Sequence, residues 1–98
     1  MSASLSSAAP AERDATSVTV SYSIQARPEP GLMPRVVELF AKRGLVPQKW
    51  HSTASPATLA IEVQIAGLDR GAADYIGRSM RQIVGVETVL TSETRRPG

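Results

Sequence analysis

The feature that most constrains this chain is a regular alternation of apolar and polar residues over residues 18–26, repeated over residues 59–66. In the first segment Val, Val, Tyr, Ile and Ala alternate with Thr, Ser, Ser and Gln. In the second segment Leu, Ile, Val and Ile alternate with Ala, Glu, Gln and Ala. Because successive side chains of a strand point to opposite faces, both segments predict half-buried β-strands. The chain must therefore build a sheet with one apolar face.

Two other segments carry the spacing of amphipathic helices. The first runs from Leu32 to Arg43 and is followed by Gly44, a residue type that often ends helices. The second follows Asp69, a good N-cap residue, and continues to Gly85. Apolar residues recur every three or four positions in both segments, which predicts one buried face for each helix.

Shorter strand patterns over residues 45–53 and 86–92 complete the order strand–helix–strand–strand–helix–strand. This order predicts an α+β fold, a ferredoxin-like βαββαβ sandwich in which a four-stranded antiparallel sheet carries both helices on one face. Right-handed crossovers give the strand order 2-3-1-4, so the second and fourth strands lie at the edges. Six polar residues of the first and third strands then face away from the helices: Thr19, Ser21, Ser23, Gln25, Glu62 and Gln64.

The length of 98 residues predicts one small domain. We predict a disordered tail over residues 1–16, which are rich in Ser and Ala and lack the pattern of a secretory signal. The domain is predicted over residues 17–93, and a loose C-terminal tail over residues 94–98.

The composition narrows the classes of function. The chain has no cysteine and a single histidine, so we predict no metal site and no cofactor. Its net charge of +2 comes from scattered residues, which does not indicate a nucleic-acid partner. No apolar run reaches the roughly 20 residues of a membrane span. We predict a cytoplasmic protein, since the absence of cysteine is compatible with a reducing compartment.

The segment RPEPG, residues 27–31, stands between the first strand and the first helix and is either a turn or a binding loop. Pro28 and Pro30 remove backbone donors, and Gly31 permits an unusual φ. The single histidine, His51, has no carboxylate or nucleophile partner in its local sequence, so we predict no catalytic residue. A small hydrolase of acyl phosphates remains an alternative that would depend on Arg27.

The stretch EPGLMPRVVELFAKRGL, residues 29–45, resembles the ACT domain, an amino-acid-sensing regulatory module with the predicted fold. The resemblance extends over residues 18–92. In more detail the chain is similar to the short, single-domain small subunit of acetolactate synthase (acetohydroxyacid synthase). The residues that carry this similarity are Ala26, Arg27, Pro30, Gly31, Leu32, Arg35, Val36, Phe40, Arg43 and Gly44.

The resemblance implies a non-catalytic subunit that activates a thiamine-diphosphate-dependent large subunit in branched-chain amino acid biosynthesis. In members that sense, an amino acid lies between the loop after the first strand of one protomer and the edge strand of its neighbour. Transferred to this chain, the ligand-binding positions are Pro28, Glu29, Pro30, Gly31, Leu32, Met33 and Val46. Pro28 and Val46 replace two asparagines of the sensing pattern, so we expect weak or no valine feedback. A free-standing amino-acid-binding sensor of another target is the alternative.

A homodimer through sheet edges is also predicted, since a small core and an unpaired edge strand both favour self-association. The interface residues we expect are Pro47, Lys49, Trp50 and His51. The alternation of the second strand leaves open which of Trp50 and His51 faces the core.

Overall fold

The computed structural model describes residues 18–94, so the predicted tail over 1–16 and residues 95–98 of the second tail lie outside the described residues. Residue 94, assigned above to that tail, belongs to the last strand. The elements follow the predicted order: β1 Val18–Ala26, α1 Leu32–Ala41, β2 Lys49–Ala54, β3 Leu59–Leu68, α2 Arg70–Arg81 and β4 Val86–Thr94.

The four strands form one antiparallel sheet in the order β2-β3-β1-β4, which confirms the predicted topology. β1 lies in the middle, because it pairs with β3 on one side and β4 on the other. A register shift near Val18 accompanies a positive φ of 77° at Gly67 in β3, as expected at a β-bulge. β2 and β4 are the edges, as the sequence predicted.

The core lies between the helices and the inward face of the sheet. β1 shows the predicted alternation, with every second side chain buried. Seventeen apolar residues are buried: Val18, Val20, Tyr22, Ile24, Ala26, Leu32, Val36, Phe40, Leu59, Ile61, Val63, Ile65, Leu68, Ala73, Ile76, Met80 and Val89. Because these come from both helices, from the two central strands and, through Val89, from β4, the two layers share a single core.

Tyr22 brings a polar atom into this core. Its hydroxyl donates a hydrogen bond of 2.6 Å to the carbonyl of Ala73 in α2. Burial is the main reason that the pKa of Tyr22 is raised to about 12, and the negative charges of Asp74 and Glu93 raise it further. The phenol of Tyr22 therefore stays neutral, and its hydrogen bond links β1 to α2.

Two element boundaries differ from the prediction. β2 begins at Lys49 rather than at residue 45, because the residues after α1 close that helix instead. The N–H of Gly44, at φ 70°, donates to Ala41, and that of Leu45 donates to Phe40, which are the bonds of a Schellman motif. α2 ends at Arg81, four residues before Gly85, so Val84 is 76% exposed and lies outside the helix.

Within residues 18–94, neither helix has the length and apolar character needed to cross a membrane.

Candidate ligand and subunit surfaces

The segment Arg27–Gly31 forms a hydrogen-bonded turn. The N–H of Glu29 donates to the carbonyl of Arg27 at 2.8 Å, and the N–H of Leu32 donates to the carbonyl of Glu29 at 3.1 Å. Pro30 and Gly31 are the central residues of the second turn, and the φ of −83° and ψ of −3° at Gly31 match a type I turn. Gly31 does not use the unusual φ that glycine permits, because the type I turn needs only ordinary right-handed angles there.

The start of α1 offers backbone donors beside this turn. Gly31 is its N-cap, and no side chain of the described residues caps it. Pro34 lies in the first turn and has no N–H, while the N–H of Leu32 is already bonded to Glu29. The N–H groups of Gly31 and Met33 are the remaining helix-start donors, and such groups attract carboxylates.

The predicted ligand-binding residues differ in how accessible they are. Four of them, Pro28, Glu29, Pro30 and Gly31, are exposed, and Met33 is half-buried. The side chain of Leu32 is completely buried in the core, so only its backbone could take part in binding. The exposed part of this surface is therefore short and consists mostly of the turn itself.

Gly85 belongs to the same surface, although the sequence linked it only to the end of the second helix. Its carbonyl accepts a 2.9 Å hydrogen bond from the N–H of Arg27, and its φ is 102°. A Cβ atom at this position would lie 2.9 Å from Cδ2 of Leu32 and 3.4 Å from Oε1 of Glu29. In the sequence, the only sign of this role is that Gly85 directly precedes a predicted strand. The pairing of β1 with β4 is needed to show that Gly85 contacts the turn before α1.

Val46 lies far from the turn within one chain. It follows the C-terminal end of α1, whereas the turn precedes the N-terminal end, and ten helical residues span about 15 Å. Its side chain is 86% exposed. One protomer therefore does not bring the predicted ligand-binding residues together, and a pocket that includes Val46 needs a second copy.

Three of the predicted interface residues lie on the edge strand β2, and Pro47 lies two residues before its start. Lys49 and His51 are exposed and face away from the helices, opposite Gln64 and Glu62 of β3. Trp50 is half-buried and packs against the core, which answers the question that the alternation left open.

Arginine side chains of α2 reach the other edge of the sheet. Arg81 donates a 2.9 Å hydrogen bond to the carbonyl of Val89 in the middle of β4, and Arg70 pairs with Glu93 at 3.3 Å. These contacts stabilise the packing of α2 against β4. The sequence did not reveal them, because helical spacing cannot show which strand lies beside a helix.

A cation–π contact joins the turn after α1 to α2. The guanidinium of Arg43 lies 4.6 Å from the ring centroid of Tyr75, which is half exposed. Val37 on α1 is 43% exposed as well. Aromatic residues and arginine are enriched at protein–protein interfaces, so the exposed surface of the helical layer resembles such interfaces in composition.

Comparison with known proteins gives a family and a set of similar folds. A family model described as an ACT-like domain matches residues 12–97. No curated protein matches this chain significantly.

Three solved structures illustrate the shared fold. The ACT domain of GTP pyrophosphokinase from Chlorobium tepidum has a TM-score of 0.70 and 14% identity, covering 79% of this chain and 100% of that one. The C-terminal domain of the MgtC protein from Mycobacterium tuberculosis has a TM-score of 0.65 and 9% identity, covering 82% and 90%. A homoserine dehydrogenase from Thiobacillus denitrificans has a TM-score of 0.68 and 10% identity, covering 83% of this chain but 18% of the enzyme. At these identities the similarity concerns the fold.

Proposed function

Because the chain belongs to the family of ACT-like domains, we propose that it is the non-catalytic regulatory small subunit of an acetolactate-synthase-type enzyme. In this role it activates the thiamine-diphosphate-dependent large subunit in branched-chain amino acid biosynthesis, in the cytoplasm. The observation that carries the proposal is the unit of β1, the Glu29-Pro30-Gly31 turn, α1 and Arg43-Gly44, within described residues that form one domain. This unit resembles the motif spacing of the short small subunits, and that resemblance supports the proposal.

The turn Arg27–Gly31 is suited to contact another subunit. Its residues are exposed, while two prolines and three hydrogen bonds hold its backbone. A surface that is already ordered loses less conformational entropy on binding, so more of its contact energy appears as affinity. Feedback by valine is weak or absent in this proposal, because Pro28 and Val46 have no polar side-chain group for a ligand.

Dimerisation through β2 is part of the proposal, and the two edges of the sheet differ in a way that supports it. The guanidinium of Arg81 is bonded to the backbone of β4, which hinders a further strand from pairing there. Among residues 18–94, no side chain donates to the backbone of Lys49–Ala54 in this way. β2 is therefore the edge that is better able to pair with a second copy.

The test of function is to add the protein to an acetolactate-synthase large subunit and to measure turnover. We expect an increase in turnover that saturates with the added protein. The exposed Glu29 lies in the turn and the exposed Glu87 lies on β4, so Glu29→Lys and Glu87→Lys form a matched pair. Glu29→Lys should weaken activation and Glu87→Lys should not. The absence of both binding and activation by the wild-type chain would reject the proposal.

A free-standing amino-acid sensor is the second candidate, favoured by the backbone donors of Gly31 and Met33 at the uncapped start of α1. Calorimetry against the twenty amino acids separates the two functions. A ligand that binds in the micromolar range, together with no effect on the large subunit, would favour the sensor.

A further inference from the structure

The charges of this chain are divided unequally between its two layers. Over residues 18–94, the helices and the residues that directly flank them carry six basic and three acidic side chains, a net charge of +3. The strands and the other loops carry two basic and four acidic side chains, a net charge of −2. The basic residues of the helical layer are Arg35, Lys42, Arg43, Arg70, Arg78 and Arg81. The helical layer therefore attracts negatively charged partners, and the sheet does not.

Two of these six cations are engaged by β4. Arg81 donates to the carbonyl of Val89, and Arg70 pairs with Glu93. The other four are exposed, and none of them lies within 4 Å of a carboxylate oxygen of residues 18–94. A partner can therefore pair with these four cations without breaking an ion pair of the described domain.

Tyr75 lies beside three of the four exposed cations. Its ring is half exposed, and the guanidinium of Arg43 lies 4.6 Å from the ring centroid. Lys42 directly precedes Arg43. Arg78 is exposed three residues after Tyr75 on α2, and side chains at this spacing are neighbours on a helix surface. We call these four residues, Lys42, Arg43, Tyr75 and Arg78, the Tyr75 surface.

The stacking of Arg43 on Tyr75 prepares this surface for binding. The contact restrains the guanidinium, so less conformational entropy is lost when a carboxylate pairs with it. An exposed tyrosine ring is stabilised when an apolar side chain covers it, and the arginines are stabilised when carboxylates bond to them. The Tyr75 surface is therefore complementary to a segment that presents an apolar side chain between carboxylates.

We propose that the Tyr75 surface docks an acidic segment of a partner protein, whose carboxylates pair with Arg43 and Arg78 while an apolar side chain packs on Tyr75. A protein fits better than a nucleic acid, because the cations surround one ring and do not form a long basic stripe. It also fits better than a membrane, because Val37 and Tyr75 are the exposed large apolar side chains of the two helices.

The Tyr75 surface is separate from the surface described for the proposed function. Arg43 follows the C-terminal end of α1, whereas the turn Arg27–Gly31 precedes its N-terminal end. The edge strand β2 belongs to the sheet and not to the helical layer. The docking of an acidic segment therefore does not depend on the regulatory-subunit function.

An NMR titration of the ¹⁵N-labelled full chain tests the surface. The probes are short synthetic peptides that differ only in whether the residues around a central leucine are glutamates, glutamines or lysines. We expect the glutamate peptide to bind with a dissociation constant of about 1 mM and to shift the amides of Arg43, Tyr75 and Arg78 saturably. The glutamine peptide should bind at least about fivefold more weakly, the factor that one surface ion pair provides, and the lysine peptide should not bind.

Exposed-residue variants assign the binding to the helical layer. Arg43→Gln and Arg78→Gln should each weaken binding of the glutamate peptide by about fivefold. The control is Thr88→Glu, which lowers the net charge by the same one unit. Thr88 is exposed and pairs with Gln25, so it lies on the face of the sheet opposite the helices. Thr88→Glu should leave binding unchanged.

Several results would overturn the proposal. Equal binding of the glutamine peptide, or an equal effect of Thr88→Glu, would show that the surface does not recognise an acidic segment. Shifts confined to Arg27–Met33, or no shifts at all, would do the same. Tighter binding of anionic lipid vesicles or of single-stranded DNA to these residues would assign the surface to another partner, and shifts of the same amides on dilution of the chain alone would assign it to a second copy. None of these outcomes depends on whether the chain activates a large subunit.

Discussion

At the residue scale, Tyr22 links stability to alkaline pH. Its buried hydroxyl donates to Ala73, and its pKa is raised to about 12 from the ordinary 10.0. The native state therefore favours the neutral phenol, and its contribution to stability is complete below pH 10 and is lost as the pH rises through 12. We expect the free energy of unfolding, measured by urea denaturation, to fall by up to about 2–3 kcal/mol over this range.

The variant Tyr22→Phe is the control for this prediction, because other groups also titrate at high pH. At neutral pH we expect it to be less stable by about 1 kcal/mol, through the loss of one hydrogen bond. Above pH 10 its stability should decline less steeply than that of the wild type. Parallel pH profiles for the two proteins would show that Tyr22 ionisation is not linked to folding.

An alternating pattern separates the two faces of a strand, but when both faces carry large side chains it does not identify the face that points to the core. A period of two places Trp50 and His51 on opposite faces of β2, but it does not say which face is which. Only the pairing of Trp50 with the buried Val63 and of His51 with the exposed Glu62 decides that the indole packs inward. Strands with apolar residues on one face only, such as β1, do not have this ambiguity, and their orientation was predicted from the sequence.

At the element scale, two glycines of the segment after Asp69 have different roles. Gly77 lies inside α2 with ordinary helical φ, and an added Cβ would be 3.6 Å from Cε1 of Tyr22, an ordinary van der Waals contact. Gly77→Ala should therefore stabilise the protein by up to about 1 kcal/mol, the difference in helix propensity. Gly85 combines a φ of 102° with a Cβ position 2.9 Å from Leu32, so Gly85→Ala should destabilise it by about 1–3 kcal/mol.

Thermal and urea denaturation of the two variants, side by side, test this contrast. A destabilised Gly77→Ala would instead show that the close approach of β1 requires a glycine at position 77. A neutral Gly85→Ala would contradict the strain that we assign to the turn before β4.

The ends of the elements were the least predictable part of the fold. α2 stops at Arg81, where the guanidinium bonds to Val89 of β4, and residues 82–85 form the connection instead. The local sequence continues its helical pattern through Ile83, which is half-buried against the core. A helical pattern records burial and not backbone conformation, so it extends past the point where the helix ends.

At the scale of the whole molecule, the order of elements was predictable and the candidate sites were not. Each strand and helix has a local period, and right-handed crossovers then leave one strand order. By contrast, Arg43 and Tyr75 become neighbours only through the packing of the two helices on the sheet. The turn at Arg27 and Val46 lie at opposite ends of α1, so a pocket containing both depends on assembly rather than on the fold of one chain.

Assembly should therefore be visible in the stability of the whole molecule. If the native state is a dimer paired through β2, its melting temperature depends on protein concentration, because unfolding separates two chains. A hundredfold increase in concentration should raise the melting temperature by about 5–10 °C, as measured by calorimetry. Sedimentation should give a dimer at the higher concentration. A monomer whose melting temperature is the same at both concentrations would contradict the dimer.

Two neighbouring proline variants assign the dimer contact to an edge. Alternate residues of an edge strand direct their N–H groups to opposite sides, so one of His51→Pro and Ser52→Pro removes a bond to β3 while the other removes a donor from the free edge. The free-edge variant should keep the stability of the dilute wild type but lose the concentration dependence. If both variants stay dimeric, the chains associate through another surface, and the exposed helical layer around Tyr75 becomes the next one to test.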